Sequence, residues 1–293
     1  MEFTINQDYH NVRLDRFLKK TYREIPLPGI FKMIRKGNVK VNRKKKKQNY
    51  RLQEGDIVRV WEASPPSATK EIAQLSFQQQ KLMEQVIIYQ DDNIILCNKP
   101  AGMVMHSGSS HKYGLLELII SHTKNPQFSF VHRIDKMTSG VVMGAKNQMT
   151  ARKLSALIRQ HAVEKEYIVL VEGSIRKEQF ILKNFLKKEV NRVRVHPNDK
   201  NGAKEAISEF IVLKHGKKRT LLQAKLHTGR THQLRVQLAE YGNPIVGDRK
   251  YGKKEGVKEQ QMFLFSQHLA VPALKIDFSL PVPSVFYDRL TVF

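Results

Sequence analysis

Residues 62–80 read EASPPSATKEIAQLSFQQQ, rich in Pro, Ser and Gln, and their apolar residues recur at neither the helical nor the strand period. Such a stretch reads as an interdomain linker, so the 293 residues are expected to fold as two unequal blocks. The boundaries expected are a small domain at 1–62, a linker at 63–82 and a large domain at 83–293. An apolar content of 41% suffices to fill their cores.

In the small block, LDRFLKKTY and GIFKMIRKG carry apolar residues at helical spacing, and Gly37 is placed to end the second helix. NVKVNRK and GDIVRVW then alternate as strands do. Between them lies KKKKQNYRLQE, whose lysines suit either a solvated hairpin tip or an edge that contacts phosphate.

The large block begins with QVIIYQDDNIILCNKPAG, which reads strand, Asp-Asp-Asn turn, strand. MTARKLSALIRQHA follows as an amphipathic helix, and KEYIVLVEG, AISEFIVLKH and TLLQAKLHTG read as strands. No repeat of 20–50 residues points to a solenoid. The expected fold class is α+β: a large mixed, mainly antiparallel sheet with flanking helices and loops, preceded by the small helix-helix-strand domain.

Charge narrows the class of partner. Against 27 Asp+Glu stand 51 Lys+Arg, a formal +24, which creates a field suited to a polyanion such as nucleic acid. The N-terminal twenty residues lack the apolar core of a signal peptide and no stretch approaches the length of a membrane span, so a cytoplasmic location is expected. A single cysteine, Cys97, leaves no internal disulfide and no cysteine-rich zinc site, and it reads as strand packing. His106, His227 and His232 are scattered without metal-ligand spacing, so no metal is assigned.

The most chemically suggestive stretch is FVHRIDKMTSG, residues 130–140. A carboxylate at Asp135, behind a short strand and beside Arg133 and Lys136, can be a nucleophile, a base or one half of an ion pair. In LHTGRTHQLRV, Thr228-Gly229 turns the chain and Arg230 stands at the start of a helix with Leu234 and Leu238 inward, so that it would point into a cleft from a rigid element. A guanidinium aimed from there at Asp135 would keep the carboxylate ionised and oriented.

HRIDKMTSG, together with NKPAGMVMH, KEY, LHTGRTHQLRV and GNPIVGDRKYG in that order, resembles the RluA-type pseudouridine synthases over roughly 86–252. The block at 12–61 is similar to the S-four-type RNA-binding domain of a ribosomal protein, through RLDRFL, IFKMIRKGNVKVN and GDIVRV. The resemblance implies isomerisation of uridines in structured RNA to pseudouridine without a cofactor. It makes Asp135 the catalytic aspartate, Arg230 its ion-pair partner, and Tyr167 the tyrosine that packs on the uracil and is a candidate to take the proton from carbon 5. Arg133, which in relatives enters the space left by a flipped nucleotide, joins His132, Lys99, Lys165 and Thr138 as expected substrate-binding residues. Lys99 is cast as a phosphate contact and His132 as a residue shaping the loop. In the small domain, Arg13, Lys32, Arg35, Lys36 and Lys40 are expected to grip RNA. Two departures from the family pattern stand out: Gln237 where many relatives have His, and FLFSQHLAVPAL at 263–274, which lacks the frequent LHA.

The implied substrate is structured RNA, a stem-loop of large-subunit ribosomal RNA first and transfer RNA as the alternative, acted on by a monomer. The rival from another class is a non-catalytic RNA-binding or ribosome-assembly protein that keeps the fold; it has no need of Asp135, Tyr167 and Arg230 together. A glycoside hydrolase calls for two carboxylates flanking the bond, and a metal-dependent nuclease for clustered acids, whereas the pair at 91–92 reads as a turn.

Overall fold

The computed structural model describes residues 1–22, 25–61, 74–107, 113–190, 192–199, 202–252 and 261–291. In the N-terminal part, β1 (Glu2–Thr4), α1 (Leu14–Thr21), α2 (Leu27–Lys36), β2 (Val39–Val41) and β3 (Ile57–Val60) build a three-stranded antiparallel sheet in the order β1-β3-β2 with two helices. Leu14, Phe17, Leu18, Ile30, Ile34, Val39 and Val58 close its core, the helical residues recurring at the three- and four-residue spacing that puts them on one face. Gly37 ends α2 in the left-handed conformation, φ 86°, as its position suggested. Strand β1, absent from the sequence reading, pairs with β3 across the whole domain.

Residues 63–73 of the expected linker lie outside the described residues. Its C-terminal end differs from expectation: α3 (Phe77–Val86) starts inside it, because Ser76 and Gln79 form a reciprocal capping box that satisfies the first free N–H groups. Met83 and Val86 on that helix are buried.

The second part continues through β4 (Ile87–Gln90), β5 (Ile94–Lys99), α4 (Leu115–Thr123), β6 (Ser129–Phe130), β7 (Ser139–Ala145) and α5 (Gln148–Arg159). It goes on through β8 (Glu164–Glu172), β9 (Gln179–Lys188), β10 (Val193–His196), β11 (Lys204–His215), β12 (Arg219–Leu226) and α6 (Gln233–Glu240), and ends with β13 (Leu264–Val271), β14 (Ile276–Ser279) and α7 (Ser284–Thr291). The strands form one sheet in the order β10-β9-β11-β12-β8-β13-β7-β5-β4, with β14 beside β13 and β6 beside β7. Every pairing is antiparallel except β13 with β7.

Alternation along β8 separates the faces. Tyr167, Val169 and Val171 join Leu234, Leu238, Leu115 and Ile119 in the main core, while Ile168 and Leu170 pack with Phe263, Phe286 and Leu290 beneath α7. Cys97 is fully buried in β5, and burial pushes its thiol up to about 12, as suits a packing residue.

The parallel β7–β13 contact joins the sheet through only two residue pairs, Phe265 with Ser139 and Ser266 with Gly140. Gly140 sits there at φ 109°, and a Cβ on it would stand 2.1 Å from the Ser266 carbonyl oxygen. Only glycine admits both that dihedral and that approach. The contact brings the loop ahead of β7, the face of β8 and the start of β13 to one place, where the cleft opens.

Candidate active site

The cleft encloses about 470 Å³, and Asp135, Tyr167, Lys165, Arg133, His232 and Arg235 are among its lining residues. Asp135 lies on the loop between β6 and β7, with its side chain one-fifth exposed. The loop is fixed from below. The Thr138 N–H donates to the Asp135 carbonyl at 3.1 Å, and the Gly102 N–H donates to the Lys136 carbonyl at 2.8 Å.

Lys99 completes that support. Its ammonium is fully buried and donates to the carbonyls of Pro100 (2.9 Å), Met103 (2.9 Å) and Lys136 (3.1 Å). Three donors thus meet three carbonyls. Burial pulls its pKa down to about 8, against the opposing pull of Asp135. A side chain so enclosed is not placed for phosphate: instead of the expected contact, Lys99 clamps the NKPAG turn to the loop carrying Asp135.

The arginine facing Asp135 is Arg235, not Arg230. Arg235 Nη1 donates to Asp135 Oδ2 at 2.9 Å, while its Nε (2.7 Å) and Nη2 (2.8 Å) engage Asp248 side-on. Arg230 turns the other way, its Nε donating to the Glu205 carbonyl at 2.8 Å. The reason is where the helix begins. α6 starts at Gln233, whose side chain accepts from the Arg230 N–H and ties Arg230 into the preceding turn. Arg235, in the first turn of the helix, shares the buried stretch Gln233–Leu238.

Asp248 makes this arrangement stable. Its carboxylate is wholly enclosed, and Oδ1 also accepts the N–H groups of Lys250 (2.9 Å) and Tyr251 (3.1 Å). Burial alone would raise its pKa, but the Arg235 hydrogen bonds and charge outweigh burial and hold it below the usual carboxylate range. The same exchange raises the pKa of Arg235: burial opposes the charge, and Asp248, then Asp135, more than compensate. Oδ2 of Asp135 is therefore held by Arg235, while among the described residues Oδ1 carries no hydrogen bond.

Tyr167, buried on β8, lies in register beside Ser266 on β13, whose Oγ donates to the Val141 carbonyl at 3.0 Å. Burial pushes the phenol up to about 12, with Ser266 opposing and the nearby Asp135 adding to the rise. Lys165, two residues earlier on the same face, is half-buried, and burial lowers its pKa. His132 turns Nε2 inward to accept the Met143 N–H at 3.0 Å, and burial, with the Lys165 charge adding to it, lowers its pKa to about 3. It is thus a neutral member of the loop. Thr138 is buried, and Arg133 is exposed at the cleft.

Sequence reasoning thus missed Arg235, Asp248, His232 and Tyr251. The signal was a charged residue among inward-facing neighbours of α6, which demands a buried acid, and the GDRKYG stretch supplies one. Gln237, the residue that departs from the family pattern, lies outside this set: it is buried and spans Ser208, Asn184 and the carbonyls of Leu182 and Ala206.

In the N-terminal domain, Lys32, Arg35 and Lys36 are exposed on α2. Arg13 is held by Asp15 through two hydrogen bonds of 2.7 and 3.2 Å, and the Lys40 ammonium lies 5.2 Å over the Trp61 ring. A groove beside them is lined by Arg13, Asp15, Arg16, Lys19, Lys20, Leu27 and Phe31; of its cations, Arg16, Lys19 and Lys20 were not anticipated.

The family model described as RNA pseudouridylate synthase matches residues 93–240, and that described as S4 domain matches residues 12–58. The chain is 37% identical over 259 residues to ribosomal large subunit pseudouridine synthase C of Buchnera aphidicola subsp. Baizongia pistaciae, covering 86% of this chain and 80% of that one. It is 34% identical over 257 residues to the protein of the same name in Escherichia coli K12, covering 86% and 79%. Among solved structures it is similar to human RNA pseudouridylate synthase domain containing 4, with a TM-score of 0.62 at 22% identity over 74% of this chain and 98% of that one. Human RNA pseudouridylate synthase domain containing 1 gives 0.59 at 24% over 70% and 85%; at these identities the likeness is one of fold.

Proposed function

The chain belongs to the RNA pseudouridylate synthase family, and from that premise we propose that it converts specific uridines of large-subunit ribosomal RNA to pseudouridine, with Asp135 as the reacting group. The observation that carries the reading is the asymmetric hold on Asp135. One oxygen is fixed by Arg235, and the other carries no hydrogen bond among the described residues, at the wall of a cleft with room for a nucleoside.

The reaction breaks the bond from ribose carbon 1 to base nitrogen 1, the electron pair leaving with the uracil. The ring turns, carbon 5 bonds to the ribose and loses its proton, and nitrogen 1 gains one. Atoms and electrons balance within the substrate, so the chemistry calls for no cofactor. Addition of Asp135 to the sugar, or removal of a ribose proton by it, would both use the free Oδ1. With its pKa near 12, Tyr167 enters as a neutral phenol packed on the base.

Reaching the bond requires the nucleotide to leave its stack, at a cost of a few kcal/mol. Cations at the cleft, Arg133, Arg159, Lys165 and Arg230, would offset this by contacts to the RNA backbone. Specificity for ribosomal RNA is supported by the names of the relatives and by the basic N-terminal domain. The test is pseudouridine mapping of ribosomal RNA, by carbodiimide labelling and reverse-transcription stops, in cells lacking the gene and complemented with wild type or Asp135→Asn. Loss of a large-subunit site that wild type restores and Asp135→Asn does not is the expected result. Restoration by the variant removes Asp135 from the chemistry.

A further inference from the structure

His232 stands between Asp135 and a residue the reaction scheme does not use. Its Nε2 is 3.7 Å from Asp135 Oδ2, and its Nδ1 is 2.8 Å from Tyr251 Oη. Tyr251 Oη also accepts the N–H of Val193, the first residue of β10, at 3.1 Å. Among the described residues those are its two partners. A peptide N–H only donates, so the one proton of the phenol has no acceptor except His232 Nδ1. That fixes the tautomer: the neutral imidazole carries its hydrogen on Nε2, the nitrogen turned to Asp135.

The assembly is held firmly. His232 adopts the left-handed conformation, φ 55°, at the N-cap of α6, a backbone state that for such a residue persists where surrounding contacts enforce it. Three cations face the Tyr251 ring, Arg192 at 5.0 Å, Arg235 at 5.1 Å and Lys250 at 5.9 Å, and Arg192 also donates to the Lys250 carbonyl at 2.7 Å. The charged and titratable groups around His232 are thus Asp135, Arg235, Asp248, Lys250 and Tyr251, with Arg192 behind the ring. Burial keeps the imidazole neutral, with Asp135 opposing and the charges of Arg235 and Lys250 assisting.

We propose that His232, oriented by Tyr251, is a positioning residue for Asp135, its Nε2–H sharing Oδ2 with Arg235 so that Oδ1 alone is presented to the uridine. The proposal rests on Asp135 as the reacting group. At 3.7 Å the contact is longer than a hydrogen bond, and catalytic hydrogen bonds of this kind commonly tighten only when substrate closes the site. The same relay ties the orientation of Asp135 to the backbone of β10, at the edge of the sheet, whose Arg194 is exposed.

The test measures single-turnover isomerisation at saturating RNA, from pH 5.5 to 8, for Tyr251→Phe, His232→Phe and His232→Gln. His232→Phe should lose about tenfold or more in rate with RNA affinity within about twofold, and His232→Gln, whose amide can still donate to Oδ2, should recover most of that loss. Tyr251→Phe releases Nδ1, so the tautomer can switch and Nε2 lose its hydrogen. Its deficit relative to wild type should shrink as pH falls, because an imidazolium donates from both nitrogens. A deficit constant across pH, or His232→Phe turning over as wild type does, overturns the proposal. If Tyr251→Phe does not fold, the His232 pair decides alone. Activity of Asp135→Asn would instead defeat the underlying reading, so the two failures are separable.

Discussion

Replacing Arg235 with Met should be among the most damaging single changes in the chain, and the size follows from Asp248. That carboxylate is completely enclosed and receives two hydrogen bonds from the guanidinium, at 2.7 and 2.8 Å, besides two from backbone N–H groups. Removing the arginine leaves an uncompensated buried charge, which costs about 3–5 kcal/mol, a large part of the roughly 5–15 kcal/mol that holds a domain together. Asp248→Asn alone should cost less, since the guanidinium keeps Asp135. The double variant should then fall short of the sum by about 2 kcal/mol or more. The sign with pH is also fixed. In wild type the lowered pKa of Asp248 contributes stability above the unfolded carboxylate value and loses it as pH falls. In Arg235→Met burial raises that pKa instead, so protonation relieves the penalty and the gap to wild type closes towards acid. Denaturant unfolding followed by far-ultraviolet circular dichroism reads the large sheet, while the one tryptophan, Trp61, reports on the N-terminal domain as an internal control. Strictly additive losses, or an Arg235→Met cost below about 1 kcal/mol, would refute the shared-guanidinium account.

Gly140→Ala should fail to accumulate folded or lose several kcal/mol, since its Cβ would meet the Ser266 carbonyl at 2.1 Å in a left-handed backbone; a melting temperature near wild type would refute that. His132 binds a proton more readily unfolded than folded, its pKa falling from 6.5 to about 3, so stability should decline below pH 6.5 with a limiting slope of about 1.4 kcal/mol per pH unit from this group. His132→Gln should flatten that slope in unfolding measured between pH 5 and 7, and an unchanged slope would assign it elsewhere. Deleting residues 1–62 should weaken RNA binding and flatten its salt dependence while leaving the chemical step at saturating RNA close to intact; binding unchanged across salt would remove the N-terminal domain from RNA recognition.

The elements that were legible in sequence are those whose pattern is local. α1, α2 and α5 announce themselves by apolar spacing, β8, β11 and β12 by runs of β-branched and aromatic residues, and the end of α2 by Gly37. Strand β1 is only three residues long, and α3 has a weak apolar face behind a polar capping box, so neither has a period to read. The order of the sheet was out of reach for a different reason. β13 comes from the far end of the chain to lie between β8 and β7, a pairing no local pattern encodes.

The site divides along the same line. Asp135 and Tyr167 sit in short motifs, and the chemistry of a carboxylate behind a strand could be argued from the residues themselves. Which arginine serves Asp135 could not, because Arg230 and Arg235 are five positions apart and the choice turns on where α6 begins. Three facts decide it: Gln233 caps the turn, Arg235 faces inward, and Asp248, thirteen residues on, takes two hydrogen bonds from its guanidinium. Burying a guanidinium costs free energy unless acceptors compensate it, so Asp248, which takes two of its hydrogen bonds, is as much a condition of the site as Asp135 itself. Asp248 satisfies most of the guanidinium and leaves Nη1 for Asp135. One enclosed charge is thereby held in place by a wholly buried acid, and the Asp135 carboxylate can stay at the cleft, one-fifth exposed, with an oxygen that carries no hydrogen bond among the described residues.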